Sequence, residues 1–454
     1  MHADDAAVRR PEAAIPQAAA VTVALLAVAW AMRWVPLPIV ISGSPGPEVA
    51  RWLNVGALGI GPLGTGFLLT ELLSLLPPGR RLRQGGVAGR ARLNRIAFGV
   101  SLAFAAVQAI AVTRALMAIT DTQGFPLVEQ PGSAVLLLVT ATLVAATAAL
   151  FALATAIGEW GIGNGFAWLF VLTNAQYTVQ AWQSGAGRSA PAEPMDLVFG
   201  ALWTVPIFLL AGLVALRRTT VQVEAAAGGE LRLDLPPLPQ GLWPVSWSET
   251  FVAYGAAIGA WLQVSWFSGM TMVQEAAFYL VAIPALSLVT AAWFSTSGRL
   301  ARDIAPVAPI PLITAIGADA VSVVLRRQWL VTTLVLTAGE ISLLALPHFV
   351  PASPVLVIGS VMIFTATALD LRDEIRFVGR HGRAVRLLQL DNLHLAAALQ
   401  ALLAQRNIPA LARAYRFRSL FHLLSPLVKV DLMTPATHAE EAAAILESLE
   451  LRNV

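Results

Sequence analysis

Gln130–Gly165 reads QPGSAVLLLVTATLVAATAALFALATAIGEWGIGNG. Up to Gly158 the stretch holds no charged side chain, and about 20 such residues suffice to cross ~30 Å of hydrocarbon as a helix. Charge-free runs recur at Ala13–Met32, Ile96–Thr113, Trp160–Gly187, Leu197–Leu216, Ala276–Gly298 and Ile341–Leu369. Across the 454 residues, hydrophobic side chains make up 57% and charged ones 13%, with a mean hydropathy of +0.70. A soluble domain carries about a quarter charged residues, so a chain of several soluble domains is excluded. The composition is that of an all-α polytopic membrane protein.

Ten spans are placed at roughly 16–35, 54–76, 95–118, 134–157, 163–182, 197–216, 248–268, 274–297, 328–347 and 352–371. The connections then sort by charge. Twenty arginines, among them Arg80, Arg81, Arg83, Arg90, Arg92, Arg95, Arg217, Arg218, Arg302, Arg326 and Arg327, fall on one side. Four (Arg33, Arg51, Arg114 and Arg188) fall on the other. By the positive-inside bias the first side is cytoplasmic and carries both termini. Asp4 and Asp5, with no small-residue cleavage site after the first apolar run, read as a retained first helix and not a signal peptide. The longest inner connections are 77–94, 217–247 and 298–327, which favours function on the inner face.

Composition changes after the last span, so the chain divides into a membrane domain, 1–383, and a small cytoplasmic α+β domain, 384–454. Ala384–Leu390, Ile408–Ala414 and the alternating Val428, Val430 and Leu432 read as strands. Leu393–Arg406 has helical apolar spacing, and Thr437-His438-Ala439-Glu440 reads as a capping box opening a helix through Leu449. The order β-α-β-β-α suggests a ferredoxin-like half-sandwich and resembles the small putative signal-transducing domain family.

Glu159-Trp160-Gly161-Ile162-Gly163-Asn164-Gly165 joins spans four and five. By composition it is a tight interhelical turn tolerating positive φ. The same residues resemble the Glu-Arg-Gly-Ile-Gly-Asn-Gly signature of the SecY protein-conducting channel at the same junction, with Trp160 in place of the arginine. Further matches to that family follow in order. They are Trp34-Val35-Pro36-Leu37-Pro38, Ala57-Leu58-Gly59-Ile60-Gly61-Pro62, Arg217-Arg218-Thr219-Thr220-Val221-Gln222-Val223 and Ala368-Leu369-Asp370. The chain therefore resembles a divergent SecY over about residues 10–385.

That resemblance implies ten helices in two inverted five-helix halves around a pore, since an odd number of spans per half inverts the second. It implies a subunit for protein translocation across, or insertion into, the bacterial cytoplasmic membrane, accompanied by SecE-like and SecG-like small subunits. A SecA motor or a ribosome would dock on basic inner loops, with Arg217 and Arg218 as docking residues. The family seals its pore with a ring of bulky aliphatic side chains, and such a hydrophobic constriction excludes water and ions. Ring positions carry over to Ile60, Gly64 and Phe170, and a lateral-gate position to Glu71. Taken singly, Ile60 and Phe170 also suit ordinary helix packing, and Glu71 suits an interfacial carboxylate. Three departures stand out. Pro38–Leu58 is too short for the family's plug helix, and Gly64 thins the ring, so the pore leaks unless other side chains fill the gap. Arg302-Asp303-Ile304 and Ala308-Pro309-Ile310-Pro311-Leu312 replace the family's docking loop after span eight.

Cysteine is absent, which excludes disulfides and thiolate chemistry. The six histidines, His2, His348, His381, His394, His422 and His438, show no ligand spacing, so no metal or other cofactor is expected. Without a phosphate loop or a Ser/His/Asp arrangement the chain does not read as an enzyme. Two other functions stay open. One is a specialised SecY relative with a dedicated partner, and the other is a proton-coupled transporter using Glu71 and Glu340, because ionisable groups inside a bilayer are expensive and usually functional.

Overall fold

The structure, a computed structural model, describes residues 15–39, 52–73, 86–119, 131–183, 219–224, 230–235, 244–249, 271–294, 315–349, 358–390, 393–421 and 428–448, with isolated positions between them. Two compact units are distinguished. One is Ala13–Tyr177; the other is Thr178–Val454 together with Met1–Glu12.

The first unit holds α1 (Ile15–Ala31), α2 (Gly61–Leu73), α3 (Gly86–Ala118), α4 (Ser133–Trp160) and most of α5 (Gly165–Gln183). Ala91–Ala118 and Ser133–Trp160 are each long and apolar enough to span a membrane. Their outward faces carry large apolar side chains such as Val107 and Leu137, the latter 73% exposed, as expected of helices solvated by lipid. Buried hydroxyls of Thr113 and Thr147 are satisfied by the carbonyls one turn back, so these polar residues cost little inside an apolar span. At Gly66 α2 comes so close to α3 that a Cβ would collide with the backbone of Ser101, whose hydroxyl donates to Leu63 O at 3.3 Å. Small residues permit such close packing where no hydrophobic force drives helices together in lipid. Phe67, Phe98, Phe151 and Phe166, one from each of α2 to α5, form an aromatic cluster with ring centroids 4.5–6.4 Å from Phe151.

Between α1 and α2, residues 52–60 run as successive turns. Pro36 and Asn54 form an antiparallel bridge, flanked by Leu37 N–H to Leu53 O at 3.0 Å and Val55 N–H to Val35 O at 2.9 Å. Leu37, Leu53 and Leu58 are thereby buried against Ala105 and Leu143 of α3 and α4.

The second unit begins, among the described elements, with a β-hairpin, β1 (Thr219–Glu224) and β2 (Glu230–Leu235), in full antiparallel register from Thr219↔Leu235 to Glu224↔Glu230. Part of the long inner connection read over 217–247, this segment alternates Thr220, Gln222 and Glu224 against Val221 and Val223, and Gly228-Gly229 lies between its strands, so period-two patterning makes it a hairpin. Then come α6 (Met272–Phe294), α7 (Ala315–Phe349) and α8 (Ile358–His381). Val321–Ala345 is the third stretch among the described residues long and apolar enough to cross a membrane. Trp329 Nε1 donates to Ser287 O at 2.7 Å, tying α7 to α6, and Gln328 Nε2 donates to Thr219 Oγ1, tying α7 to the hairpin. The expected loop at 298–327 is corrected over its described end, since α7 starts at Ala315 and carries Arg326 and Arg327 within it. The larger part of spans six and seven of the sequence lies outside the described residues.

After Gly382, at φ +78°, come β3 (Ala384–Leu390), α9 (Leu393–Gln405), β4 (Leu411–Arg413), α10 (Tyr415–Leu420), β5 (Val430–Pro435) and α11 (Ala439–Ser448). The sheet order is β3-β5-β4, all antiparallel, with Leu387, Leu399, Leu403, Val430, Leu432 and Leu446 in its core. The strand expected over 408–414 shrinks to three residues, because Ala414 turns into the left-handed region at φ +62° and α10 follows at once. The capping box does not form. Pro435 leads into a 3₁₀ turn over Ala436–His438, so Thr437 sits inside the turn and its hydroxyl meets His438 Nδ1 at 3.0 Å.

Burial first, and then the charge of neighbouring Arg418, pushes His394 down to about 4. In the unfolded chain an imidazole titrates near ~6.5. Unfolding thus takes up a proton between these values, so stability is full above pH ~6.5 and falls as pH drops toward about 4. His394→Gln is expected to flatten that dependence, removing roughly 1–3 kcal/mol of the difference. Melting of the purified chain at pH 4.5 and pH 7 checks it.

Candidate functional site

The turn after α4 is built by contacts that use nearly every residue of it. Gly161 N–H caps α4 by donating to Ile157 O at 2.8 Å, and a Cβ there would strike both Ile157 O and Thr22 Oγ1. Thr22 of α1 accepts Ile162 N–H at 2.8 Å while donating to Ala18 O at 3.0 Å, so one hydroxyl joins α1 to the turn. Gly163 has φ +73°, a conformation that favours glycine. Asn164 Oδ1 accepts Ala167 N–H at 3.1 Å and caps α5. Trp168 Nε1 donates to Ile162 O at 2.8 Å. At Gly165 a Cβ would fall on the backbone carbonyl of Ala154, which fixes the approach of α5 to α4. Trp160, where the resemblance has arginine, is 56% exposed. Thr22 was not singled out from sequence, and the only signal for it is a lone hydroxyl in an apolar span.

The residues carried over as ring positions lie in the same unit. Ile60 is 2% exposed, at the entry to α2, and its carbonyl accepts the N–H of Leu63 at 3.1 Å and of Gly64 at 3.2 Å. Gly64 is one turn on, and a Cβ placed there would sit 3.5 Å from the ring tip Cζ of Phe170. The bulk missing at Gly64 is thus met by an aromatic ring from α5. Both residues were named from sequence, but not as neighbours. Thr173, a turn beyond Phe170, lines the turn at Gly59, whose φ is +55°. Glu71 lies in the last turn of α2, and its side chain is outside the described residues. Arg217 and Arg218 are also outside them. Glu340 is 3% exposed on α7.

The SecY family matches residues 55–307. The protein translocase subunit SecY of Aquifex aeolicus (strain VF5) is 34% identical over 115 residues, 25% of this chain and 27% of that protein. The SecY subunit of Streptococcus gordonii is 26% identical over 227 residues, 47% of this chain and 51% of that one. The chain therefore spans about half or less of the length of these curated relatives. Among solved structures, a protein-conducting channel superposes with a TM-score of 0.51 at 13% identity, over 83% of this chain and 97% of that one. The channel of a canine ribosome-channel complex from the endoplasmic reticulum gives the same figures. At that identity the likeness is one of fold. With the family matched over more than half of its length, across the start of α2, the Gly161–Gly165 turn and the β1–β2 hairpin, this chain belongs to the SecY family.

Proposed function

We propose that the chain is the channel-forming subunit through which polypeptides cross, or apolar segments enter, the bacterial cytoplasmic membrane. The observation that carries this reading is the family match over residues 55–307, which includes the Gly161–Gly165 turn with its Asn164 cap and the Trp168 bond to Ile162 O. On this reading ten spans form two inverted halves with both termini cytoplasmic, residues 1–383 are the membrane domain and 384–454 a cytoplasmic one. Ile60 and Phe170 contribute to the seal, with Phe170 supplying bulk opposite Gly64, and Glu71 faces the lateral gate. SecE-like and SecG-like small subunits accompany it, and a SecA motor or a ribosome supplies the drive. A tag at the C-terminus, followed by extraction in detergent, should recover such a small subunit with a motor or ribosomes. Recovery of a different, dedicated set of partners would instead support a specialised relative, a reading favoured by the C-terminal segment seated on the β1–β2 hairpin.

Arg217→Glu with Arg218→Glu should reduce export several-fold in a depletion strain complemented by the variant, more so at low salt, because surface attraction is screened within ~8 Å at physiological ionic strength. Unchanged export would count against docking at these residues.

A further inference from the structure

The inner end of α8 and the β1–β2 hairpin are both gripped by the segment that follows α8. Asp370 Oδ1 accepts Arg416 N–H at 3.1 Å and its Oδ2 accepts Phe417 N–H at 2.8 Å, so a carboxylate from α8 caps the start of α10. Arg416 Nη1 lies 2.7 Å from Asp373 Oδ2 and 3.5 Å from Asp370 Oδ1. Arg413, 4% exposed, lies 3.9 Å from both Glu374 and Asp431. On the hairpin side, Tyr415 Oη donates to Asp234 O at 2.7 Å, and α9 packs along β2. Just beyond the hairpin, Leu242 N–H donates to Leu420 O at 2.7 Å, with Gly241 at φ +63° allowing the approach. An isolated two-stranded hairpin is at best marginally stable and presents open strand edges to another extended chain. Here the Asp234–Leu235 end of β2 is covered, with Leu235 only 4% exposed.

We infer that the C-terminal α+β segment is a movable intramolecular cover for the hairpin, held shut by the pairing of Arg416 with Asp370 and Asp373 of α8. The inference goes beyond the translocation reading and shares with it only the cytoplasmic placement of this face. Its test does not depend on export.

The chain has no cysteine, so Leu235→Cys introduces a single reporter. The full-length variant in membrane vesicles is treated with a polyethylene-glycol maleimide too bulky to enter a closed interface. Labelling should be slow, and Arg416→Glu should accelerate it by at least about tenfold, as loss of one partner of a buried ion pair shifts an equilibrium on that scale. Arg416→Lys should stay close to the parent rate. Fast labelling of the parent overturns the cover, and so does an unchanged rate in Arg416→Glu with amide protection retained at Leu399 and Val430. If that protection is lost, the segment has unfolded and Tyr415→Phe decides, since it removes only the hydroxyl bonded to Asp234. Faster labelling then supports the cover, and an unchanged rate overturns it.

Discussion

Gly165→Val should leave almost no folded chain in the membrane. The added side chain has no room, because its Cβ would overlap the carbonyl of Ala154, a backbone group that moves only if α4 moves. Displacing α4 from α5 would also disturb Phe151 against Phe166 and the Trp168 bond to Ile162 O. A backbone collision of this kind belongs to the small class of substitutions that cost more than about 4 kcal/mol. Thr22→Val serves as the measured contrast. It keeps the shape but leaves Ile162 N–H without its acceptor, for roughly 1–3 kcal/mol. Quantifying monodisperse protein after detergent extraction, with melting temperatures for whatever survives, separates the two. A Gly165→Val chain as abundant and as stable as the parent would mean that α4 and α5 do not meet as described.

The second large effect concerns Phe170. Phe170→Ala should raise the ion conductance of purified channels in planar bilayers by at least about tenfold, because a dewetted constriction fails steeply once it is wide enough for water. The pairing with Gly64 gives the experiment its internal control. Gly64→Leu alone should crowd the Phe170 ring, which stands 3.5 Å from the Cβ position, and cost about 1–3 kcal/mol of stability. Placed in the Phe170→Ala background, the same leucine should restore both volume and seal. If Phe170→Ala conducts no more than the parent, the two residues are packing neighbours and not part of a constriction.

Much of this arrangement is legible in the sequence, and the parts that are not share a cause. Hydrophobicity marks where lipid surrounds a helix, so α3, α4 and the apolar part of α7 are readable from charge-free runs. It does not mark where the helix itself stops. Arg90, Arg92 and Arg95 end the apolar span but not α3, which begins at Gly86, and Arg326 and Arg327 lie well inside α7. Likewise Asp370, Arg372, Asp373 and Glu374 end an apolar run while α8 continues to His381. A charged side chain ends an apolar span without breaking a helical backbone, so a helix runs on past the span that marks it. The Gly161–Gly165 turn was readable as a turn because glycine and asparagine have few other uses in such density. Its partner Thr22 was not, since a contact across 140 residues leaves no local mark. The same holds for Arg416 and Asp370, 46 residues apart.

The carboxylate of Asp370 has a consequence for how the chain comes to be assembled. The two amides it accepts belong to a helix of only six residues, too short to persist alone. α10 can therefore settle only against an α8 already in place, with its acidic end on the same side of the membrane as the segment behind it. A molecule in which that helix had threaded backwards would leave Arg416 without its carboxylates, Arg413 with only Asp431, and α10 without its cap. The segment would then stay open to proteases, and each molecule would carry its own proof that the membrane part before it had been laid down in the correct orientation.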